Sequence, residues 1–193
     1  MMKRLLVTTG MVLAFAMPAL AQDAAVVSDN PEMAAILASD QAVRQDLSAV
    51  LAGGRAYAER MIAEDAIRRG QVRALLEADA LKTAADFHAA AFVFQHGSTP
   101  DDYLLAHSLA LAAVAKGSTE STWIAAATLD RYLQMTGKPQ IYGTQTTVRR
   151  GQPPTRDPYD HALVPNSVLI ALGVPTQARE EALNATQGAS TTP

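Results

Sequence analysis

One carboxylate falls on the apolar stripe of a predicted helix. On the helix expected from about 119 to 136, Asp130 shares a face with Trp123 and Leu133. A buried carboxylate needs hydrogen-bond or cationic partners, because leaving it unpaired costs several kcal/mol. Asp130 either holds a ligand or orients a histidine, or it belongs with Arg131 to a structural polar network. We favour the structural network.

Two histidines can also be interpreted as either structural or functional residues. His107 lies among apolar neighbours on its predicted helix, so it is either a neutral imidazole with one hydrogen bond or a general base beside Asp130. His96 lies at a predicted helix C-terminus, where the negative end of the helix favours its cation. The structural interpretation is favoured for both.

No spacing of histidine and acidic residues in the sequence indicates a metal site. His88 and His96 are eight residues apart, which puts them about 12 Å apart on a straight helix. A zinc site would need His96, His107 and Asp130 to converge from three helices. We expect no metal and no cofactor.

A polar segment follows the helix that carries Asp130. Gly143 within it permits positive φ or a close backbone approach, and the surrounding amides and hydroxyls suit a polar ligand or a tie to the helix ends. His107 and Asp130 are predicted at similar depth from the turn near 117–118, so we predict one contiguous polar cluster. The candidate binding residues are His96, His107, Asp130, Arg131, Gln140, Tyr142, Thr144 and Gln145.

Capping patterns predict helices across the middle of the chain. Asn30-Pro31 begins the first helix, which runs to about 52 before Gly53-Gly54, and the next spans 55–69 with Gly70 ending or bending it. Asp65 and Arg69 on that helix are predicted to form an ordinary surface pair.

Further helix starts are predicted near 83, 99 and 119, the last capped by Ser118 or Thr119. The sequence predicts an all-α fold of consecutive antiparallel helical hairpins, as a bundle or a short tetratricopeptide-like array. A short irregular or β segment is expected near 140–150, followed by short helices at 166–172 and 175–184. A single domain covers 30–184, between a flexible leader at 22–29 and a disordered tail at 185–193.

The first 21 residues are typical of a cleavable signal peptide. Lys3 and Arg4 precede an apolar stretch of about 13 residues, which is shorter than the roughly 20 residues that span a bilayer. Small residues at Ala19 and Ala21 predict cleavage before Gln22. We expect a periplasmic or secreted protein with no membrane span after signal cleavage.

Composition narrows the classes of function. The chain has no cysteine, which excludes thiol chemistry and thiolate zinc sites. Removing the signal leaves 14 basic and 19 acidic residues, a net charge of −5, without any basic stripe. We therefore expect no nucleic-acid partner.

From about 64 to 184 the chain resembles an uncharacterised bacterial family, the domain of unknown function 6624. The likeness is carried by residues 65–69, 72–76, 89–97, 102–107, 123–132 and 137–145. The resemblance implies a largely helical domain and no established activity.

Three functions stay open at this point. The first is a binding or protein-interaction module of the cell envelope, with an envelope protein or a small polar ligand as its partner. The second is a small hydrolase that uses His96 or His107 with Asp130 and the 140–145 segment. The third is a structural envelope helper. We favour the binding module because no complete catalytic set is visible.

Overall fold

The computed structural model describes residues 27–45 and 52–176. This part of the chain is all-α, as predicted, and its β structure is limited to isolated bridges that join Gln140 to Tyr159 and Thr147 to Thr155. The helices are α1 (Pro31–Gln45), α2 (Gly54–Glu77), α3 (Ala84–Phe94), α4 (Pro100–Ala115), α5 (Ser121–Met135) and α6 (Asn166–Ala171). The antiparallel hairpin arrangement stays a prediction.

Three helices begin where their capping residues predict. The Asn30 side chain accepts hydrogen bonds from the backbone N–H groups of Glu32 and Met33 at the start of α1. The Thr83 hydroxyl accepts from the Asp86 N–H, which forms a capping box at α3. Thr99 caps α4 in the same way through the Asp102 N–H, with Pro100 in its first turn.

Two helix boundaries differ from their predicted positions. Helix α2 continues through Gly70 to Glu77, because packing of its later residues Val72 and Leu75 into the core outweighs the weak propensity of one glycine. Helix α5 begins at Ser121 without a capping side chain. The Ser118 hydroxyl does not cap it, since that hydroxyl hydrogen-bonds with the hydroxyl of Ser121.

The main core is built around α3 and is rich in alanine. Helix α3 packs against α1, α2, α4 and α5, and α4 packs most extensively against α3 and α5. Small side chains let the helix axes approach closely. The members most completely removed from solvent are Met33, Val72, Ala90, Ala91, Phe94, Ala106, Ala110 and Ile124.

A smaller core joins the C-terminal segment to α5. Ala126 of α5 packs with Leu169 and Val174, and the partly buried Tyr142 and Leu172 cover this contact. Helix α6 corresponds to the predicted helix at 166–172. The predicted helix at 175–184 and tail at 185–193 lie outside the described residues, apart from Pro175 and Thr176. The signal peptide, most of the leader and residues 46–51 also lie outside them.

A buried ionic network joins α1 to α2. The guanidinium of Arg44 donates to Asp40 Oδ1 at 2.9 Å and to Asp65 Oδ2 at 2.7 Å, and Arg68 donates to Asp65 Oδ1 at 2.8 Å. Asp40 is fully buried and Asp65 almost so. The predicted surface pair of Asp65 with Arg69 is therefore wrong, because Asp65 is buried and pairs with Arg44 of α1 and with Arg68 of its own helix.

Arg69 instead joins α2 to the turn between α3 and α4. Its guanidinium donates to the His96 carbonyl oxygen at 2.7 Å, and its Nε lies 3.6 Å from Asp102 Oδ2. Arg73, one turn later, donates to Asp102 Oδ1 at 3.0 Å. Successive arginines of α2 thus contact two different neighbouring elements.

Asp86 ties the start of α1 to the start of α3. Its carboxylate accepts hydrogen bonds from the backbone N–H groups of Asn30, Lys82 and Thr83. Burial alone would raise the pKa of Asp86, but these bonds and the Thr83 hydroxyl hold the pKa below its usual value.

We expect Asp86→Asn to lower the free energy of unfolding at pH 7 by about 1–3 kcal/mol, because an amide cannot accept all three bonds. The folded-state pKa of Asp86 is depressed, so its stabilisation is present above the unfolded pKa of about 3.9 and is lost as pH falls through the folded pKa. The difference between wild type and variant should therefore shrink below about pH 4. Urea titrations at pH 7 and pH 3, monitored by circular dichroism, measure this difference in the free energy of unfolding.

Asp101→Asn is the matched control, since Asp101 is an exposed carboxylate in the first turn of α4. It should change stability by no more than about 0.5 kcal/mol. A stability difference for Asp86→Asn that is the same at both pH values would contradict the assignment.

Candidate functional site

The Asp130 carboxylate organises the polar segment after α5. Its side chain is fully buried near the end of the helix. Oδ1 accepts hydrogen bonds from the backbone N–H groups of Ile141 at 2.8 Å and Tyr142 at 3.1 Å. Oδ2 accepts from the backbone N–H of Thr144 at 2.9 Å and from its hydroxyl at 2.8 Å. Residues 141–144 therefore curl around one buried negative charge.

The side chain of Gln140 forms hydrogen bonds across this segment. Its buried amide nitrogen donates to the carbonyl oxygens of Gln145 at 2.9 Å and Arg156 at 2.6 Å, and its Oε1 accepts from the Gln145 N–H at 2.8 Å. The backbone of Gln140 also exchanges hydrogen bonds with Pro158 and Asp160. We define residues 140–145 held in this way as the Asp130 loop.

Gly143 is required at its position in the Asp130 loop. Its φ is +68°, a conformation that glycine adopts without strain, and a Cβ there would lie 2.7 Å from the ring of Tyr159. Burial, reinforced by the negative charge of Asp130, raises the pKa of both Tyr142 and Tyr159. Both hydroxyls therefore remain protonated at neutral pH.

Arg131, the next residue of α5, lines a pocket of about 260 Å³. The pocket walls are Tyr103, Arg131, Gln134, Met135 and Gln145. The guanidinium carbon of Arg131 lies 5.9 Å from the centroid of the Tyr103 ring. Its Nε is buried without a hydrogen-bond partner, and Arg131 makes no ion pair with any residue that the structure describes.

The pocket walls are held in place by the surrounding structure. The Tyr103 hydroxyl donates to the Gly97 carbonyl oxygen at 2.8 Å. The side-chain amide nitrogen of Gln145 donates to the Ala127 carbonyl oxygen at 3.2 Å and to the Thr144 hydroxyl at 2.9 Å. The Asp130 loop thus delivers one wall of the Arg131 pocket.

His107 has a partner other than Asp130. Its Nδ1 lies 2.9 Å from the carbonyl oxygen of Ala125, more than one turn before Asp130 on α5. The structure therefore brings Asp130, Gln140, Tyr142, Thr144 and Gln145 together, with Arg131 sharing a pocket with Gln145. His107 is held at the interface of α4 and α5 through a backbone carbonyl.

His96 belongs to the ionic network between α1 and α2. Its Nδ1 lies 3.1 Å from Asp40 Oδ1, the carboxylate that also pairs with Arg44. Sequence analysis missed Asp40, although two local signals were available: it shares a face of α1 with Met33 and Ile36, and it lies four residues before Arg44.

The structure gives the candidate histidines and Asp130 different hydrogen-bond partners. His96, His107 and Asp130 each have separate partners, so neither histidine hydrogen-bonds to Asp130. Within residues 27–45 and 52–176, no group of three histidine, aspartate or glutamate side chains is placed to hold a metal ion.

Sequence analysis also missed a second pocket, of about 300 Å³, between α1, α3 and the turn before α5. Its walls include Met33, Leu37, Ala85, His88, Ser118 and Glu120. His88 Nδ1 lies 2.8 Å from the Ser121 hydroxyl oxygen, which lies 2.8 Å from the Ser118 hydroxyl oxygen. The three-residue spacing of Ser118 and Ser121 was a signal for a shared site, but their approach to His88 is a tertiary contact.

Comparisons with protein-family models, curated proteins and solved structures found no match to the chain. The resemblance to the domain of unknown function 6624 stays a prediction. In the part of the chain that the structure describes, every helix is too short or too polar to cross a membrane.

We expect Asp130→Ala to lower the free energy of unfolding by about 3–5 kcal/mol, because it strands three buried N–H groups and a hydroxyl. The backbone amides of Ile141, Tyr142 and Thr144 should lose protection from hydrogen exchange, measured by nuclear magnetic resonance.

Asp160→Ala serves as the control for this variant. Asp160 is exposed and accepts only from the nearby N–H groups of Ala162 and Leu163, so its loss should cost about 1 kcal/mol or less. If the loop amides stay protected in Asp130→Ala, the loop is held by something other than this carboxylate.

Proposed function

We propose that the mature chain is an exported helical binding module of the cell envelope, which binds a small anionic ligand in the Arg131 pocket. The observation that carries this proposal is the buried Nε of Arg131, which has no hydrogen-bond partner at the wall of a pocket. Buried polar groups in folded proteins are nearly always paired. A ligand that accepts from the half-buried guanidinium gives this cation the anionic partner that the described residues do not supply.

The chemistry of the guanidinium indicates the class of ligand. Arginine presents a planar fork of N–H donors that matches a carboxylate or phosphate, and it stays charged under all ordinary conditions. The Tyr103 ring supports the cation from one side. Because Asp130 next to it is saturated by the Asp130 loop, its carboxylate does not compete for Arg131.

The other walls restrict the ligand further. A volume of about 260 Å³ lies near the lower end of the range for small-molecule pockets, so the ligand has few heavy atoms. Both amide hydrogens of Gln145 are used within the protein, which leaves its Oε1 to accept from a ligand hydroxyl or ammonium group. We favour a small carboxylate that also carries a hydrogen-bond donor.

Export rests on the sequence of the first 21 residues, with Lys3 and Arg4 before the apolar stretch and Ala21 at the expected cleavage point. N-terminal sequencing of the protein from a periplasmic fraction should begin at Gln22. Recovery of a chain that begins at Met1 from a membrane fraction would contradict export.

We expect small carboxylates to perturb the side-chain amide resonances of Gln134 and Gln145 in a nuclear magnetic resonance titration. Acetate, lactate and succinate, with inorganic phosphate as a second anion class, are the probes. Arg131→Gln should weaken binding of the best probe at least about tenfold, since a charge-assisted bond contributes about 1.5–3 kcal/mol.

Lys138→Gln is the matched control, because it removes one exposed positive charge just after α5 without touching the pocket walls. It should leave the affinity of the best probe within about twofold, as expected for a screened surface charge. An equal loss in both variants would show general electrostatic attraction. No perturbation by any probe at millimolar concentration would overturn the proposal.

A further inference from the structure

A chain of hydrogen bonds leads from the second pocket to an imidazole. The hydroxyl oxygens of Ser118 and Ser121 are 2.8 Å apart, and the Ser121 oxygen is 2.8 Å from His88 Nδ1. Ser121 is fully buried, whereas Ser118 and His88 are partly exposed and line the pocket. The middle hydroxyl can therefore only relay a proton, while the outer hydroxyl can meet a ligand.

The imidazole is in the form that accepts a proton. Burial lowers the pKa of His88, and the negative charge of Glu120 opposes this only in part. In the tautomer with the proton on Nε2, Nδ1 accepts a hydrogen bond from Ser121, and Ser121 in turn accepts from Ser118. This polarity leaves the lone pairs of the Ser118 oxygen available toward the pocket. The ring is also held against Phe92, with the two centroids 4.8 Å apart.

The pocket walls match a neutral acyl group. Met33, Leu37 and the alanines at 84, 85 and 89 give an apolar wall, and its 300 Å³ suits a short chain. The acidic side chains of Asp29, Asp86 and Glu120 also line the pocket and disfavour anionic substrates. Asp86 is not a competing base, because its carboxylate is saturated by backbone N–H groups.

The start of α5 adds a further element next to Ser118. This helix begins without a capping side chain, and although the Thr122 N–H donates to the Thr119 carbonyl oxygen, the first turn still places the positive end of the helix beside the two serines. N–H donors at the positive end of a helix stabilise the oxyanion that forms when a carbonyl carbon is attacked.

We propose that Ser118 is a nucleophile that accepts the acyl group of short-chain neutral esters, with Ser121 as proton relay and His88 as general base. This activity is separate from ligand binding in the Arg131 pocket. It also uses a different histidine and a different face from the His96, His107 and Asp130 hydrolase considered from sequence.

The reaction balances without any further reactant except water. Ser118 Oγ bonds to the carbonyl carbon while its proton passes to Ser121 Oγ and the Ser121 proton passes to His88 Nδ1. The carbon–oxygen bond to the leaving alcohol then breaks: His88 Nδ1 returns its proton to Ser121 Oγ, and Ser121 passes its own proton directly to the leaving oxygen beside Ser118. In the second half, water bonds to the acyl carbon while it gives a proton to Ser121 Oγ and Ser121 gives one to His88. The bond to Ser118 Oγ then breaks, and Ser118 takes a proton back from Ser121, which releases the carboxylic acid and restores the serine.

The test combines covalent labelling with turnover of the purified mature chain. Diisopropyl fluorophosphate should add one phosphoryl group, located at Ser118 by peptide mass spectrometry, and p-nitrophenyl acetate should be hydrolysed. Ser118→Ala should abolish both. His88→Gln should slow both at least about 100-fold, since loss of a general base costs 10²–10⁴ in rate. Circular dichroism melts verify that each variant is folded.

Ser108→Ala is the matched control, since Ser108 is an exposed serine whose hydroxyl donates to the Leu104 carbonyl oxygen. It should leave labelling and turnover unchanged. Absence of an adduct at Ser118, or labelling of Ser118 at the same rate in folded His88→Gln, would overturn the proposal.

Discussion

The burial of the Asp130 carboxylate sets the conformation of the segment that directly follows α5, residues 140–145. A charge removed from water must be surrounded by donors, and Asp130 is surrounded by the backbone N–H groups of Ile141, Tyr142 and Thr144 and the Thr144 hydroxyl. Four bonds to one group force the chain to turn back on the helix. That turn places Gly143 against Tyr159 and delivers Gln145 to the Arg131 pocket. The pocket is thus a consequence of how one negative charge is solvated by the protein.

The first half of the described chain depends on a second set of buried charges. The helices α1 to α3 meet through alanines and small aliphatic residues, which pack closely but give little directional preference. Asp40 and Asp65, bridged by Arg44, accept charged bonds in only one relative placement of α1 and α2. We infer that these networks select one register among several that the apolar faces alone would allow. Asp86 does the same between α1 and α3.

The features that could be predicted from the sequence depend on residues that are close together along the chain. The caps at Asn30 and Thr99 and the helix start near 83 depend on residues within one turn, and a carboxylate on an apolar stripe followed by a polar segment pointed correctly to the Asp130 loop. The errors depend on contacts between elements. Asp65 was predicted to lie at the surface because the sequence of α2 does not show that α1 packs against this residue. The partner of His107 is a backbone carbonyl, which no sequence pattern distinguishes.

Asp130 and Arg131 show why burial alone does not identify a binding group. Neighbouring residues on a helix point about 100° apart, so one side chain enters the loop and the other lines the pocket. All four bonds that Asp130 accepts come from the protein, and it has little capacity left for a ligand. Arg131 is also partly buried, but its Nε lacks a partner. The same distinction separates Asp86 from Ser118 in the second pocket. The groups that are able to bind or react with a ligand are therefore those that the fold leaves without a full set of hydrogen-bond partners.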